Sequence, residues 1–246
     1  MWVAQPEDLA NPEQRATMLA VLSAGERERL DRFRFEGDRH LFLVAHALLR
    51  LALSRLADVD PHAWEFCAGP HGRPEIAAPR SRLRFTLSHT RALAACAITI
   101  DGDIGLDVEN TSRRVGLEIA DRFFSLREAR ALRRVAGPAQ PARFFEYWTL
   151  KEAYLKARGL GLSLPLDRFS VYRDRRGVWR IAFAPSVDDN PSRWRFWSWR
   201  IGGVHQAALA MAPSGAYRTL AAISAATDPE PCGDRGRSSQ DGTSRS

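Results

Sequence analysis

The chain has 246 residues, of which 45% are apolar and 26% charged, with a formal net charge of +7. This is the balance of a folded globular protein, and it excludes disordered, collagenous and membrane-spanning classes. The N-terminus, Met1-Trp2-Val3-Ala4-Gln5-Pro6, lacks the basic flank and apolar stretch of a secretory signal, so a cytoplasmic location is expected.

In chain order, the first strong element is a helix over Asp38–Leu56, where Leu41, Val44, Ala45, Leu48, Leu49, Ala52, Leu53 and Leu56 recur at three- and four-residue steps. Trp64–Ala68 and Glu75–Ala77 read as strands around a turn at Pro70-His71-Gly72. Leu83–Leu87 and Ala92–Ile100 read as further strands, the second apolar enough to be buried, and Ile104–Val108 as another. Helices are expected over Glu118–Phe124, Leu126–Val135 and Ala142–Arg158, the last closed by Gly159 and Gly161. Strand candidates follow at Phe169–Arg173, Val178–Phe183, Trp194–Arg200 and Ala207–Ala212. The stretch after Ala226 has no aromatic or aliphatic residue and is expected to be a disordered tail.

The order of elements repeats. Leu83-Arg84-Phe85 with Ala94-Ala95-Cys96-Ala97 is echoed by Trp194-Arg195-Phe196 with Ala207-Ala208-Leu209-Ala210. Two similar α+β halves, 1–105 and 106–225, are therefore expected, with the tail at 226–246 and a cleft at their interface. Cys67, Cys96 and Cys232 form no C-x-x-C pair, and the six histidines show no H-E-x-x-H spacing, so neither a disulfide framework nor structural zinc is indicated. The positive charge favours an anionic partner: nucleic acid, a phosphorylated cofactor or an acidic protein surface. Of 36 cations only Lys151 and Lys156 are lysines, and they lie within six residues. Compositional bias explains the arginines but not that pairing.

Three segments carry candidate chemistry, each with a bland counterpart. Gly72-Arg73-Pro74 followed by Phe85-Thr86-Leu87-Ser88-His89-Thr90 offers a hydroxyl and an imidazole for a phosphate, or else only a turn and a strand end. In Gly105-Leu106-Asp107-Val108-Glu109 the two carboxylates project from one strand face. They suit a hard cation such as Mg²⁺, or else a solvated edge. Trp148, Glu152 and Lys156 share a helical face, as a metal–pyrophosphate site or as an exposed amphipathic helix with one ion pair.

Together these segments resemble the Sfp-type 4′-phosphopantetheinyl transferases. That family's pattern is a G-K-P turn, an F-N-L-S-H-S strand, a G-x-D-x-E strand and W-x-x-K-E-A-x-x-K-x-x-G-x-G. Here Gly72-Arg73-Pro74, the Phe85–Thr90 strand, Gly105–Glu109 and Trp148…Lys151-Glu152-Ala153…Lys156…Gly159…Gly161 stand in that order and spacing. Phe123-Phe124-Ser125-Leu126-Arg127-Glu128 also matches the family's F-F-S-x-x-E. Arg73 stands for the commoner Lys, Thr86 for Asn, Thr90 for Ser, and Leu41 where some relatives carry a basic residue.

The resemblance implies an α+β fold of two similar α/β halves related by a pseudo-twofold, with coenzyme A bound between them. It implies Mg²⁺-dependent transfer of phosphopantetheine from CoA to a serine of an apo acyl or peptidyl carrier protein, releasing 3′,5′-ADP. Asp107, Glu109 and Glu152 are then the metal site, and Glu152 and Lys156 the catalytic pair. Arg39, His40, Arg73, Ser88, His89, Lys151 and Lys156 would hold CoA. Either Glu152 or a metal-bound water is the candidate base. A monomer acting on neither nucleic acid nor membrane is expected. The competing readings are a transferase restricted to fatty-acid carriers, a basic nucleic-acid module, for which no recognition motif is present, and an inactive carrier-binding homologue. The length of two halves and the presence of all three acidic positions and Lys156 speak against the first and last.

Overall fold

The computed structural model describes residues 1–69, 71–214 and 224–225. The expected tail at 226–246 lies outside the described residues. The chain opens with a short strand, β1 (Trp2–Ala4), and two helices, α1 (Pro12–Val21) and α2 (Ala24–Asp31). Apolar periodicity does not announce these helices, because each buries a single residue, Met18 and Leu30. Their caps do: Asn11 accepts from the Gln14 amide, and Ser23 with Glu26 forms a reciprocal capping box.

The expected long helix follows as α3 (Glu36–Leu56), then the hairpin β2 (Glu65–Ala68) and β3 (Pro74–Ala78), and the hairpin β4 (Leu83–Thr90) and β5 (Leu93–Ile100). The chain then repeats the plan. A strand, β6 (Gly102–Asn110), precedes two short helices, α4 (Glu118–Phe123) and α5 (Leu126–Arg133), and a long one, α6 (Ala139–Arg158). Hairpins β7 (Phe169–Arg173) with β8 (Trp179–Phe183) and β9 (Arg195–Ile201) with β10 (His205–Pro213) complete it. α6 starts ahead of the expected Ala142 because Pro141 falls in its first turn, where a missing amide costs nothing. It ends at Gly159, which takes the left-handed conformation at φ 64°.

In each half the last strand pairs antiparallel with the first, β5 with β1 and β10 with β6. The sheets run β11-β1-β5-β4, where β11 (Ser224–Ala225) pairs parallel with β1, and β6-β10-β9. All of β6 belongs to the second sheet, so the division expected at residue 105 falls inside a strand and the sheets change over at Asp101. Alternation along β5 explains why its run Leu93–Ile98 is apolar on both faces. Ala94 and Cys96 face the core under α3, while Leu93, Ala95 and Ala97 join Ile104, Leu106 and Val108 of β6 in a core between the halves. The opposite face of β6 carries Gly105, Asp107 and Glu109 and receives α6. No helix among the described residues is long and apolar enough to cross a membrane.

Candidate active site

Gly105 fixes how close α6 lies to β6. A Cβ built there would stand 2.0 Å from the Ala153 carbonyl oxygen and 2.3 Å from the Ala157 amide nitrogen, so only glycine lets the helix backbone rest on the strand. One residue pair further along β6, this close packing sets Asp107 beside the α6 side chains. Lys156 Nζ donates to Asp107 Oδ1 at 2.7 Å and to Ser88 Oγ at 2.9 Å. Ser88 Oγ in turn donates to Asp107 Oδ1 at 3.3 Å. Asp107 is 6% exposed, and its Oδ2 is buried without a hydrogen-bond partner.

β4 and β6 belong to different sheets but lie alongside each other, and side chains join them. The Leu106 amide donates to Thr86 Oγ1 and the Val108 amide to Ser88 Oγ, each at 3.2 Å. The cleft beside this seam is lined by Arg73, Pro74, Thr86, Glu152, Lys156 and Gly159, among others. It therefore draws its walls from both halves.

The electrostatics are those of crowded negative charge. Burial, and then the Asp107 charge, push the Glu109 carboxyl above its ordinary range, against the pull of Arg113, Lys156 and Trp148. Burial and Asp107 likewise raise Glu152, with Lys156 opposing and Glu109 adding. Among the described residues no three His, Cys, Asp or Glu side chains converge as a finished metal cage. The donor set nevertheless fits a hard cation that completes its shell with substrate oxygens. Three carboxylates from β6 and α6 feel one another, and one buried oxygen lacks a partner. The His89 pKa is held down by burial, then by His46, Lys156 and Arg29, with Asp38 opposing.

Two family models divide the chain between them: the 4′-phosphopantetheinyl transferase superfamily over residues 103–212, and the 4′-phosphopantetheinyl transferase N-terminal family over residues 9–100. The transferase Sfp of Bacillus subtilis is 35% identical over 159 residues, 65% of this chain and 70% of that protein. HetI of Nostoc sp., also a 4′-phosphopantetheinyl transferase, is 38% identical over 159 residues, 63% of this chain and 67% of that one. The chain belongs to the 4′-phosphopantetheinyl transferase family. Among solved structures, the holo-[acyl-carrier-protein] synthase of Neisseria meningitidis overlays on 46% of this chain and 98% of its own, at TM-score 0.40 and 16% identity.

Not every residue expected at the transferase's site stands there. Lys151 is a correction. Its ammonium is fully buried and donates to both Glu128 oxygens, at 2.9 and 2.7 Å, and to the Phe169 carbonyl at 2.6 Å. All three of its donors are used inside the C-terminal core, so it has none for CoA. Arg39 donates to Glu36 Oε2 at 3.1 Å and the Phe33 carbonyl at 2.9 Å, and His40 Nε2 pairs with the Pro6 carbonyl at 2.7 Å. Both are engaged within the N-terminal half. Arg73 does line the cleft, but it also ties the halves together, donating to the Ala157 carbonyl at 2.7 Å and the Ile104 carbonyl at 3.1 Å. Burial, then the neighbouring Arg84, lower its pKa.

Sequence reasoning took Thr86 only as a departure from pattern.

Proposed function

We propose that this transferase moves the 4′-phosphopantetheine group of coenzyme A onto a serine of an apo carrier protein, with Mg²⁺, releasing 3′,5′-ADP. The observation that carries the reading is the ion pair of the Lys156 ammonium with buried Asp107, beside a cleft that Lys156 and Glu152 line and that both halves wall. One chain supplies both walls, which supports action as a monomer. Acyl carriers of polyketide and fatty-acid synthesis and peptidyl carriers are the proposed acceptors.

Asp107, Glu109 and Glu152 would hold the Mg²⁺, which supplies positive charge to the pyrophosphate oxygens. Lys156, already poised between Asp107 and Ser88, neutralises charge that grows on the same oxygens. His89, Ser88 and Arg73 hold the nucleotide end. The serine oxygen bonds to the β-phosphorus as the bond from that phosphorus to the bridging oxygen breaks, and the bridging oxygen departs with 3′,5′-ADP. The serine proton needs an acceptor. Glu152, or a water held by the metal, is the candidate acceptor.

Incubating apo-carriers of each class with CoA, Mg²⁺ and the purified protein should add one phosphopantetheine mass to the carrier, read by mass spectrometry. Excess EDTA should abolish the gain. Asp107→Ala should cut turnover by about 100-fold or more, about 2.7 kcal/mol of transition-state stabilisation, with a melting temperature near wild type. Full turnover in EDTA, or full activity of the variant, would overturn the assignment.

A further inference from the structure

We propose that Thr86 is a positioning residue that aims Asp107, an inference that rests on the metal and transfer reading above. β6 is the edge strand of its sheet, with β10 on its only laddered side. The amides of Leu106 and Val108 point away from β10 into a buried region, where both residues are at most 2% exposed. An edge amide without a partner there would be costly. Thr86 and Ser88, two residues apart on one face of β4, accept these two amides at 3.2 Å each.

Asp107 lies between the two pinned residues. Alternation turns its side chain to the opposite face, toward Lys156 and Glu152 of α6. Ser88 thus fixes the Asp107–Val108 peptide plane beside the carboxylate, and Thr86 fixes the Gly105–Leu106 plane one peptide before it. Because side chains and not a backbone ladder make the seam, β4 and β6 stand apart enough to leave the cleft between the halves. Thr86 is 7% exposed, and its β-branched Cβ restricts the rotamer that presents the hydroxyl. Ser88 cannot isolate the effect, since its oxygen also contacts Asp107 and Lys156.

The test uses full-length Thr86→Val, which keeps the shape and removes the acceptor, with Thr86→Ser as the restoring variant and Thr86→Ala beside it should the valine variant melt too low to assay. Carrier loading gives kcat and KM for CoA, and electron paramagnetic resonance gives the affinity for Mn²⁺ without CoA. Loss of the hydroxyl should lower kcat at least ~10-fold, weaken Mn²⁺ at least ~3-fold and leave the KM for CoA within about 2-fold. Thr86→Ser should recover most of both. Wild-type kcat and Mn²⁺ affinity without the hydroxyl, or an equal loss in Thr86→Ser, would overturn the proposal. So would a raised KM for CoA at unchanged kcat, the mark of a donor contact. Asp107→Asn in the same Mn²⁺ titration separates the two levels. If it binds as wild type, the metal reading itself fails. If it loses Mn²⁺ while Thr86→Val does not, only the positioning role fails.

Discussion

Lys156 is one of two lysines in a chain that otherwise uses arginine, and its surroundings give the reason. One nitrogen reaches both Asp107 Oδ1 at 2.7 Å and Ser88 Oγ at 2.9 Å. A planar guanidinium spreads its donors in a fork and cannot bring a single compact charge to that point. Lys156→Arg should therefore lower kcat at least ~10-fold, about 1.4 kcal/mol, in the carrier-loading assay. Wild-type turnover would reduce the residue to generic positive charge. Gly105 makes a second residue-scale case. Its place in G-x-D-x-E was legible, but its purpose was not, because a close approach by Ala153 and Ala157, far along the chain, leaves no local trace. Gly105→Ala would set a Cβ 2.0 Å from the Ala153 oxygen, so the helix must lift. We expect a loss of about 1–3 kcal/mol in urea unfolding. Activity should fall with it, because Glu152 and Lys156 move away from Asp107.

Lys151 makes sense only at the scale of paired elements. In the C-terminal half, the capping-box Glu128 at the start of α5 receives the buried Lys151 of α6. In the N-terminal half, the capping-box Glu26 of α2 receives the buried Arg50 of α3 at 2.7 Å. Each cation also reaches the start of the following hairpin, Lys151 at the Phe169 carbonyl (2.6 Å) and Arg50 at the Trp64 carbonyl (3.0 Å). One device thus locks a short helix, the long helix and the next strand together in both halves. Motif adjacency misled the reading of Lys151, because five residues along a helix place it about 140° around from Lys156. Lys151→Met should leave Glu128 buried and unpaired and cost about 3–5 kcal/mol in chemical denaturation. The KM for CoA of the folded fraction should stay within about 2-fold of wild type. A tenfold rise in that KM with unchanged stability would return Lys151 to the CoA site.

For the molecule as a whole, the duplication was legible in the strand pairs and in the two long helices, whose apolar or motif-bearing faces are continuous in sequence. The first helices of the N-terminal half, α1 and α2, were harder to read than α4 and α5, since capping rather than a buried stripe defines them. The seam between the halves left no sequence signal, because Thr86 and Ser88 meet amides some twenty residues away through hydroxyls. The same duplication carries a pH signature in the N-terminal half. Burial alone would raise Glu26, but hydrogen bonds from His46, the Ser23 amide and Arg50, with the charge of His46, outweigh it and bring its pKa from 4.5 down to about 2. A carboxylate lowered on folding stabilises the native state above its unfolded pKa and loses that contribution as pH falls through the folded one. The window therefore runs from about pH 4.5 down to about pH 2 and spans about 3 kcal/mol. Glu26→Gln has no such charge to lose. Urea unfolding at a series of pH values should show wild type well above the variant near neutrality, with the gap narrowing by about 2 kcal/mol between pH 6 and pH 3. A gap that stays constant over that range would mean that Glu26 carries no excess ionisation energy in the native state. The buried lock of the N-terminal half would then be held by shape and hydrogen bonding alone.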